Sequence, residues 1–242
     1  IIFALYLLVY RISKTKFEFN FQVLIKLLKY GFPLVVHGFG WMIMSASDKY
    51  FLNQYSTLEQ VGIYSIGYTM GYSIMIITGA FNNAWPQMMF NYSQKEEAGT
   101  FYGNSFTYYV AILGIVWVGV TIFSEEIVML LTPEKFWDAY RVIPLIMLAY
   151  IFHGALSITS SGIYARDKTY NDFILTPITT IVCLILNFIF IPKWGMIGAA
   201  WSALFSFSFQ CFVYTMIAKK YIKINFQWGK LLKLAFLFKI IL

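Results

Sequence analysis

Long apolar segments separated by short charged loops dominate this sequence and constrain its fold more than any other feature. A transmembrane helix needs roughly 20 mostly apolar residues, and inside a bilayer its backbone groups must hydrogen-bond within the helix. The runs are too continuous for the alternating strands of a membrane barrel. The sequence therefore predicts an all-α, polytopic membrane helix bundle. Six segments are long enough to cross, namely residues 30–49, 60–83, 104–124, 142–164, 172–191 and 195–218.

The composition supports a membrane protein and argues against other classes. The chain has 242 residues, of which 60% are hydrophobic and 12% charged, whereas a soluble domain carries about 25% charged residues. The net charge of +7 is typical of cytoplasmic loops in a membrane protein, so no nucleic-acid partner is predicted. Cys183 and Cys211 lie inside apolar segments, so a structural disulfide is not predicted either.

Lysine and arginine are unevenly divided between the two sets of loops. One set holds 13 of them and the other holds 4. Because positive loops stay in the cytoplasm, the richer set is predicted to be cytoplasmic. Its members are residues 11–29, 91–103, 165–171 and 219–233.

The two ends of the chain carry apolar runs that are too short to span, residues 1–10 and 231–242. We therefore expect a piece of a longer protein, with partial helices flanking the six spans. Residues 17–30 fit either an amphipathic helix on the inner surface or the start of the next span. The predicted organisation is the end of a preceding helix and a cytoplasmic linker over 1–29, a six-helix lobe over 30–218, and a loop with a truncated further helix over 219–242.

Polar residues recur at helical spacing inside several spans, which indicates faces that point into the bundle. Packing through small residues is favoured for the Gly67–Gly71 face and for Gly198, Ser202 and Ser206. Elsewhere a water-filled cavity competes with packing, and tyrosines could stack on sugars or simply pack. The candidate cavity or substrate residues are His37, Asp48, Lys49, Tyr68, Asn82, Arg141, His153 and Asn187.

Two of these features have alternative interpretations. His37 and His153 are the only histidines of the sequence, and each either titrates in a cavity and couples proton flow or is a neutral structural residue. Asp48 and Lys49 form either an interfacial pair, with Lys49 reaching toward the headgroups, or a gate or cation site at the cavity mouth.

The stretch "AFNNAWPQMMF" at residues 80–90 is predicted to be the inner end of a cavity-lining helix and a joint near a cytoplasmic gate. Trp85 would serve there as an interfacial anchor. The candidate gate or kink residues are Pro33, Trp85, Pro86 and Pro177. No phosphate-binding glycine loop, nucleophile motif or metal-ligand spacing is present, so neither an enzyme nor a metal site is predicted.

Several of these segments, in this order, resemble the bacterial polysaccharide flippases of the multidrug/oligosaccharidyl-lipid/polysaccharide (MOP) superfamily. The resemblance covers nearly the whole chain and depends on the order and spacing of motifs rather than on any single one. The motifs are Gly31 to Pro33, the Asp48-Lys49-Tyr50-Phe51 turn, "VGIYSIGY" at 61–68, "AFNNAWPQ" at 80–87, "AYRVIPLIMLAYIFHG" at 139–154 and "IPKWGMIGAAWSALFS" at 191–206.

The resemblance implies a MATE-like transporter of fourteen helices in two lobes, of which this chain would be the C-terminal lobe. It implies a flippase for polyprenyl-pyrophosphate-linked oligosaccharide units, as in O-antigen or capsule synthesis, acting by alternating access in the bacterial inner membrane. The expected partners are that lipid-linked substrate, the bilayer and the missing N-terminal lobe. No cofactor is expected beyond a coupling cation, H⁺ or Na⁺.

Two alternatives stay open at this point. One is another transporter of the same superfamily, either a drug/cation antiporter or a lipid II flippase. The other is a membrane-bound polysaccharide polymerase or ligase, which would need catalytic groups in an outer loop.

Overall fold

A computed structural model describes residues 20–241 of the chain, and the partial span and most of the linker predicted before residue 20 lie outside this range. All regular elements in the described range are helical, which confirms the predicted all-α class. The helices are α1 (Phe21–Tyr55), α2 (Leu58–Tyr72), α3 (Met75–Tyr92), α4 (Ala98–Ile122), α5 (Ser124–Leu131), α6 (Ile143–Thr159), α7 (Ser161–Tyr164), α8 (Asp172–Ala218) and α9 (Trp228–Ile241). Short 3₁₀ helices cover Glu134–Arg141 and Thr169–Asn171.

Within the described range, 4 helical stretches are long and apolar enough to cross a membrane. They are α1, α4, α6 extended through α7, and the stretch Thr169–Ala218. Helices α2 and α3 together make a fifth candidate, bent by 42° at the break between them.

Helix α8 consists of two helical limbs that meet at a kink, where the chain folds back on itself. Asp172 and Tyr214 would lie about 63 Å apart in a straight helix with a rise of about 1.5 Å per residue. Instead the Tyr214 hydroxyl donates a hydrogen bond to Asp172 Oδ1 over 2.8 Å. The turn is at Gly195, whose φ of 52° and ψ of −131° are open to glycine and strained for other residues. We call residues 172–194 the first limb and residues 196–218 the second limb.

Contacts between loops define the two ends of the bundle. At one end the Thr169 hydroxyl donates to the Tyr30 carbonyl over 3.2 Å, and the Asn225 amide donates to the Gly99 carbonyl over 3.0 Å. We call this the basic end, because it carries the loops of the lysine-rich set. The opposite end holds the Gly195 turn beside the Gln60 side chain. The charge distribution predicts that the basic end faces the cytoplasm.

Helix α6 lies at the centre of the bundle, and α1 lies at its edge. In the stretch Ile143–Tyr164, which joins α6 and α7, 67% of the most apolar window is buried inside the chain. The corresponding share for α1 is 11%. Helix α1 therefore presents apolar side chains outward, such as Phe32 and Phe39, as a lipid-facing helix does. It is a single helix from Phe21, capped by the Asn20 side chain. For residues 21–30, this agrees with the second alternative, in which they begin the next span.

Candidate functional site

A buried carboxylate lies in the half of the bundle nearer the opposite end. The Asp48 side chain is 3% exposed. It accepts a hydrogen bond from the Tyr64 hydroxyl at 2.5 Å and another from the Lys49 backbone amide at 2.7 Å. The Lys49 ammonium lies instead over the Tyr68 ring, 4.3 Å from its centroid. Among the described side chains, only His37–Asp172 and Arg141–Asp138 approach as ion pairs, so Asp48 has no cationic partner there.

Tyrosines surround this carboxylate. Tyr68 and Tyr72 of α2 are stacked, with centroids 6.0 Å apart and planes at 8°. Both meet the ring of Tyr150 on α6 edge-on, and the Tyr68 hydroxyl contacts the Tyr150 hydroxyl. Tyr68 and Tyr72, four residues apart on α2, thus pack on the central helix α6, while Tyr68 stays partly exposed.

A polar contact beside Asp48 joins α1 to the first limb of α8. The Asn187 Nδ2 donates to the Ser47 hydroxyl over 2.8 Å. Among the described residues, the Asn187 Oδ1 is buried without a hydrogen-bond partner, as are the hydroxyls of Ser202 and Ser206 on the second limb. Buried oxygens of this kind normally have a partner, so these atoms are candidate positions for a bound water molecule or cation. We call Ser47, Asp48, Tyr64 and Asn187 the Asp48 cluster.

A second polar cluster lies nearer the basic end. Asp172 is fully buried and accepts hydrogen bonds from the Tyr214 hydroxyl at 2.8 Å and the Tyr164 hydroxyl at 3.3 Å. The His37 Nδ1 lies 3.1 Å from the Tyr214 hydroxyl, 3.3 Å from the Thr176 hydroxyl and 4.0 Å from Asp172 Oδ1. We call these five residues the His37 cluster.

The second histidine has a different environment. The His153 ring lies against Trp41, Tyr150 and Phe207, with centroid distances of 6.1, 6.2 and 5.0 Å. Its Nδ1 is buried without a hydrogen-bond partner. An aromatic enclosure without an acidic partner is typical of a neutral structural histidine.

Of the predicted gate residues, Trp85 and Pro86 lie in α3, and the other two prolines lie in α1 and α8. The Trp85 side chain is 1% exposed and donates from Nε1 to the Ser161 hydroxyl over 3.0 Å. The prediction that Trp85 is an interfacial anchor is therefore wrong, because its ring packs inside the bundle. The neighbouring Asn82 amide oxygen accepts from the Ser157 hydroxyl over 2.8 Å, which ties α3 to α6. The prolines of the prediction lie within helices: Pro33 in α1, Pro86 in α3 and Pro177 in α8.

The remaining predicted residue, Arg141, joins neither cluster. Its side chain is 54% exposed and pairs with Asp138 at 3.2 Å near the opposite end. The Gly67 face packs closely, since a Cβ there would come within 2.3 Å of Val142 Cγ2.

The structure adds residues that the candidate list omitted. Thr176 and Tyr164 belong to polar stripes visible in the sequence, but Asp172 begins an apolar segment and resembles an ordinary loop residue there. The available signal was an aspartate at the first position of a predicted span, in a chain that carries a histidine inside another span. The pairing across α1 and α8 depends on the tertiary fold.

Comparison with known proteins identifies the fold. No protein-family model matches the chain. It is 22% identical over 224 residues to the probable low-salt glycan biosynthesis flippase Agl15 of Haloferax volcanii, a match that covers 91% of this chain and 48% of that protein.

Two solved transporters share the architecture. The lipid II flippase MurJ in its inward closed conformation gives a TM-score of 0.68 at 18% identity, over 96% of this chain and 50% of that one. The MATE transporter VcmN of Vibrio cholerae in its bent form gives a TM-score of 0.67 at 17% identity. That match covers 89% of this chain and 52% of the transporter. The chain thus spans about half the length of the proteins it matches. These findings and the apolar helices confirm a multi-pass membrane protein with a MATE-like transporter fold.

Proposed function

We propose that this chain is the C-terminal lobe of a flippase that moves lipid-pyrophosphate-linked oligosaccharide units across the bacterial inner membrane for surface polysaccharide synthesis. The similarity over 91% of the chain to a glycan biosynthesis flippase carries the proposal. The architecture shared with MurJ and a MATE transporter supports a transport function and alternating access against a second lobe, the proposed partner.

A polar and aromatic patch supports a cargo that carries both sugar and phosphate. Lys49 lies over the Tyr68 ring at 4.3 Å, and Tyr72 is stacked beside Tyr68. Aromatic faces stack on apolar faces of sugar rings, and an ammonium group pairs with a phosphate. We propose that Lys49, Tyr68 and Tyr72 contact the head of the cargo, while the second lobe meets most of the pyrophosphate charge.

The Asp48 cluster supports a cation that couples transport to a gradient, H⁺ or Na⁺. Asp48 is a buried carboxylate without a cationic partner among the described side chains. The Asn187 Oδ1, which has no partner among the described residues, adds an oxygen of the type that hard cations prefer. Loading and release of a cation would change the charge between α1 and α8 and bias the lobe toward one state.

The decisive experiment uses the full-length protein in proteoliposomes that contain a labelled lipid-pyrophosphate oligosaccharide. We expect the label to cross the bilayer at a rate that depends on an imposed H⁺ or Na⁺ gradient. Asp48→Asn should abolish the gradient dependence. Asp138→Asn, at an exposed carboxylate near the same end of the bundle, should leave it intact.

Other outcomes identify the alternatives. Efflux of a cationic dye without movement of the glycan would indicate a drug/cation antiporter. Elongation or transfer of the glycan without translocation would indicate a polymerase or ligase. The similarity to MurJ supports one second candidate, a lipid II flippase, which the same assay with lipid II as cargo would identify.

A further inference from the structure

We infer that His37 and Asp172 form a proton-binding site at the basic end of the lobe, separate from the Asp48 cluster. His37 and Asp48 both belong to α1, and their separation of eleven positions corresponds to a rise of about 16 Å. The two clusters are therefore independent polar centres along one helix. The contacts of His37 and Asp172 define the site itself, and its role in coupling rests on the proposed function.

The local charges require a proton for neutrality. Asp172 has no exposed surface, and its nearest ionisable cation among the described side chains is the His37 imidazole at 4.0 Å. A buried carboxylate without a compensating charge is costly in free energy. When Nδ1 of His37 gains a proton from water, the result is an imidazolium–carboxylate pair of zero net charge. When that proton leaves, one negative charge stays between α1 and α8.

The surrounding groups fit both states. The hydroxyls of Tyr214 and Tyr164 donate to Asp172 and support an ionised carboxylate in either state. The Thr176 hydroxyl lies 3.3 Å from His37 Nδ1, so it can donate to a neutral ring or accept from a charged one. Both states therefore keep their polar atoms paired.

The other ionisable groups that face the site do not replace the proton. Tyr30 on α1 and His153 on α6 lie near enough to interact electrostatically with Asp172 and His37 respectively. Neither provides a permanent positive charge. The described part of the chain has no group of three or more histidine, cysteine or acidic side chains that could hold a metal ion. The His37–Asp172 pair offers one imidazole and one carboxylate, a set suited to holding a proton.

The exposure of the two partners gives the site an entrance. The His37 side chain is 25% exposed, whereas Asp172 is sealed inside. The imidazole is therefore the more accessible of the two groups, and the carboxylate is its buried counter-ion. A bound proton would hold α1 against both limbs of α8 at the basic end.

The test is ring ¹⁵N NMR of histidine in full-length protein in nanodiscs, without cargo or gradient. The His37 signal is assigned by its loss in His37→Gln. In a titration from about pH 5 to pH 8 we expect the His37 signal to change, while the His153 signal stays that of a neutral ring. Asp172→Asn should move the His37 midpoint to lower pH by about one unit or more, since the counter-ion is gone.

Asp167→Asn is the matched control, because Asp167 is exposed at the same end and its φ of 53° suits asparagine. It should leave the midpoint unchanged. A wild-type His37 signal that does not change over the pH range would overturn the site, even if Asp172→Asn failed to fold. An unchanged midpoint in folded Asp172→Asn would also overturn it.

A transport measurement separates the site from the proposed function. If His37 titrates but His37→Gln retains full dependence on a pH gradient, the coupling role is overturned. Failure of the wild-type protein to move any lipid-linked glycan would instead overturn the proposed function and leave the proton site intact.

Discussion

Tyr214 and Asp172, which lie 42 positions apart in the two limbs of α8, are joined by a hydrogen bond of 2.8 Å. The bond connects the beginning of the first limb of α8 to the end of the second. The Tyr214 hydroxyl also lies 3.0 Å from the Thr176 hydroxyl and 3.1 Å from His37 Nδ1. The Tyr214 hydroxyl therefore connects α1 and the two limbs of α8 at the basic end.

Removal of this hydroxyl should destabilise the lobe. Tyr214→Phe leaves buried Asp172 with Tyr164 as its remaining hydroxyl donor, and the loss of a hydrogen bond to a charged group costs about 1.5–3 kcal/mol. We expect a lower free energy of unfolding in detergent by that amount, measured by thermal or denaturant titration. Tyr50→Phe is the control, because Tyr50 is 72% exposed. Equal stability of the two variants would contradict the central position of the Tyr214 bond.

The turn of α8 should not tolerate a side chain. Gly195→Ala places a Cβ at 2.7 Å from Gln60 Oε1 in a backbone conformation with positive φ. We expect a loss of roughly 1–3 kcal/mol or a failure to fold, read from melting temperature and yield in detergent. Gly119→Ala is the control, since nothing lies within 4 Å of its Cβ and alanine favours helices. A stable Gly195→Ala protein would mean that the turn adopts another conformation.

Trp85 and Ser161 should be energetically coupled. Trp85→Phe and Ser161→Ala each remove one side of a buried bond of 3.0 Å that ties α3 to the start of α7. In a double-mutant cycle on thermal stability we expect a coupling of about 0.6–1.7 kcal/mol. Trp194→Phe, at a tryptophan that is 55% exposed, should show no coupling with Ser161→Ala. Additive effects of Trp85→Phe and Ser161→Ala would argue against this bond.

Lys49 should matter for cargo and little for stability. Its ammonium contacts the Tyr68 ring rather than a carboxylate, and such contacts contribute about 0.5–1 kcal/mol at exposed sites. We expect Lys49→Gln to weaken cargo binding several-fold with a nearly unchanged melting temperature. Lys135→Gln, which loses a similar contact with Phe136 at 4.8 Å, is the control. Unaltered binding in Lys49→Gln, measured with labelled lipid-linked oligosaccharide, would remove Lys49 from the proposed cargo patch.

Much of the architecture was predictable from the sequence because a bilayer restricts it strongly. Apolar length fixed the helical class, and the last two predicted spans, residues 172–191 and 195–218, correspond closely to the two limbs that meet at Gly195. The Gly67 face was correctly interpreted as packing, since small residues at helical spacing permit close approach. The helical class and the packing face depend on the spacing of residues along the chain and on the hydrocarbon that surrounds it.

The environment of single polar residues was less accessible. Periodicity placed His37 and His153 equally inside spans, yet the structure gives one an acidic partner and the other an aromatic enclosure. Trp85 resembled an interfacial anchor by its position near a span end, but its ring is buried. Periodicity predicts which face of a helix a residue occupies, but it does not predict which residues of other helices contact that face.

The sequence by itself determined that this chain crosses a membrane as helices and that charge is concentrated at one predicted side. Only the tertiary structure decided which polar groups meet. The bond between Tyr214 and Asp172 and the approach of His37 to Asp172 depend on the reversal at Gly195 and on the packing of α1 against both limbs of α8. Hydrocarbon selects helices from local composition, whereas the pairing of buried charges depends on contacts between residues distant in sequence.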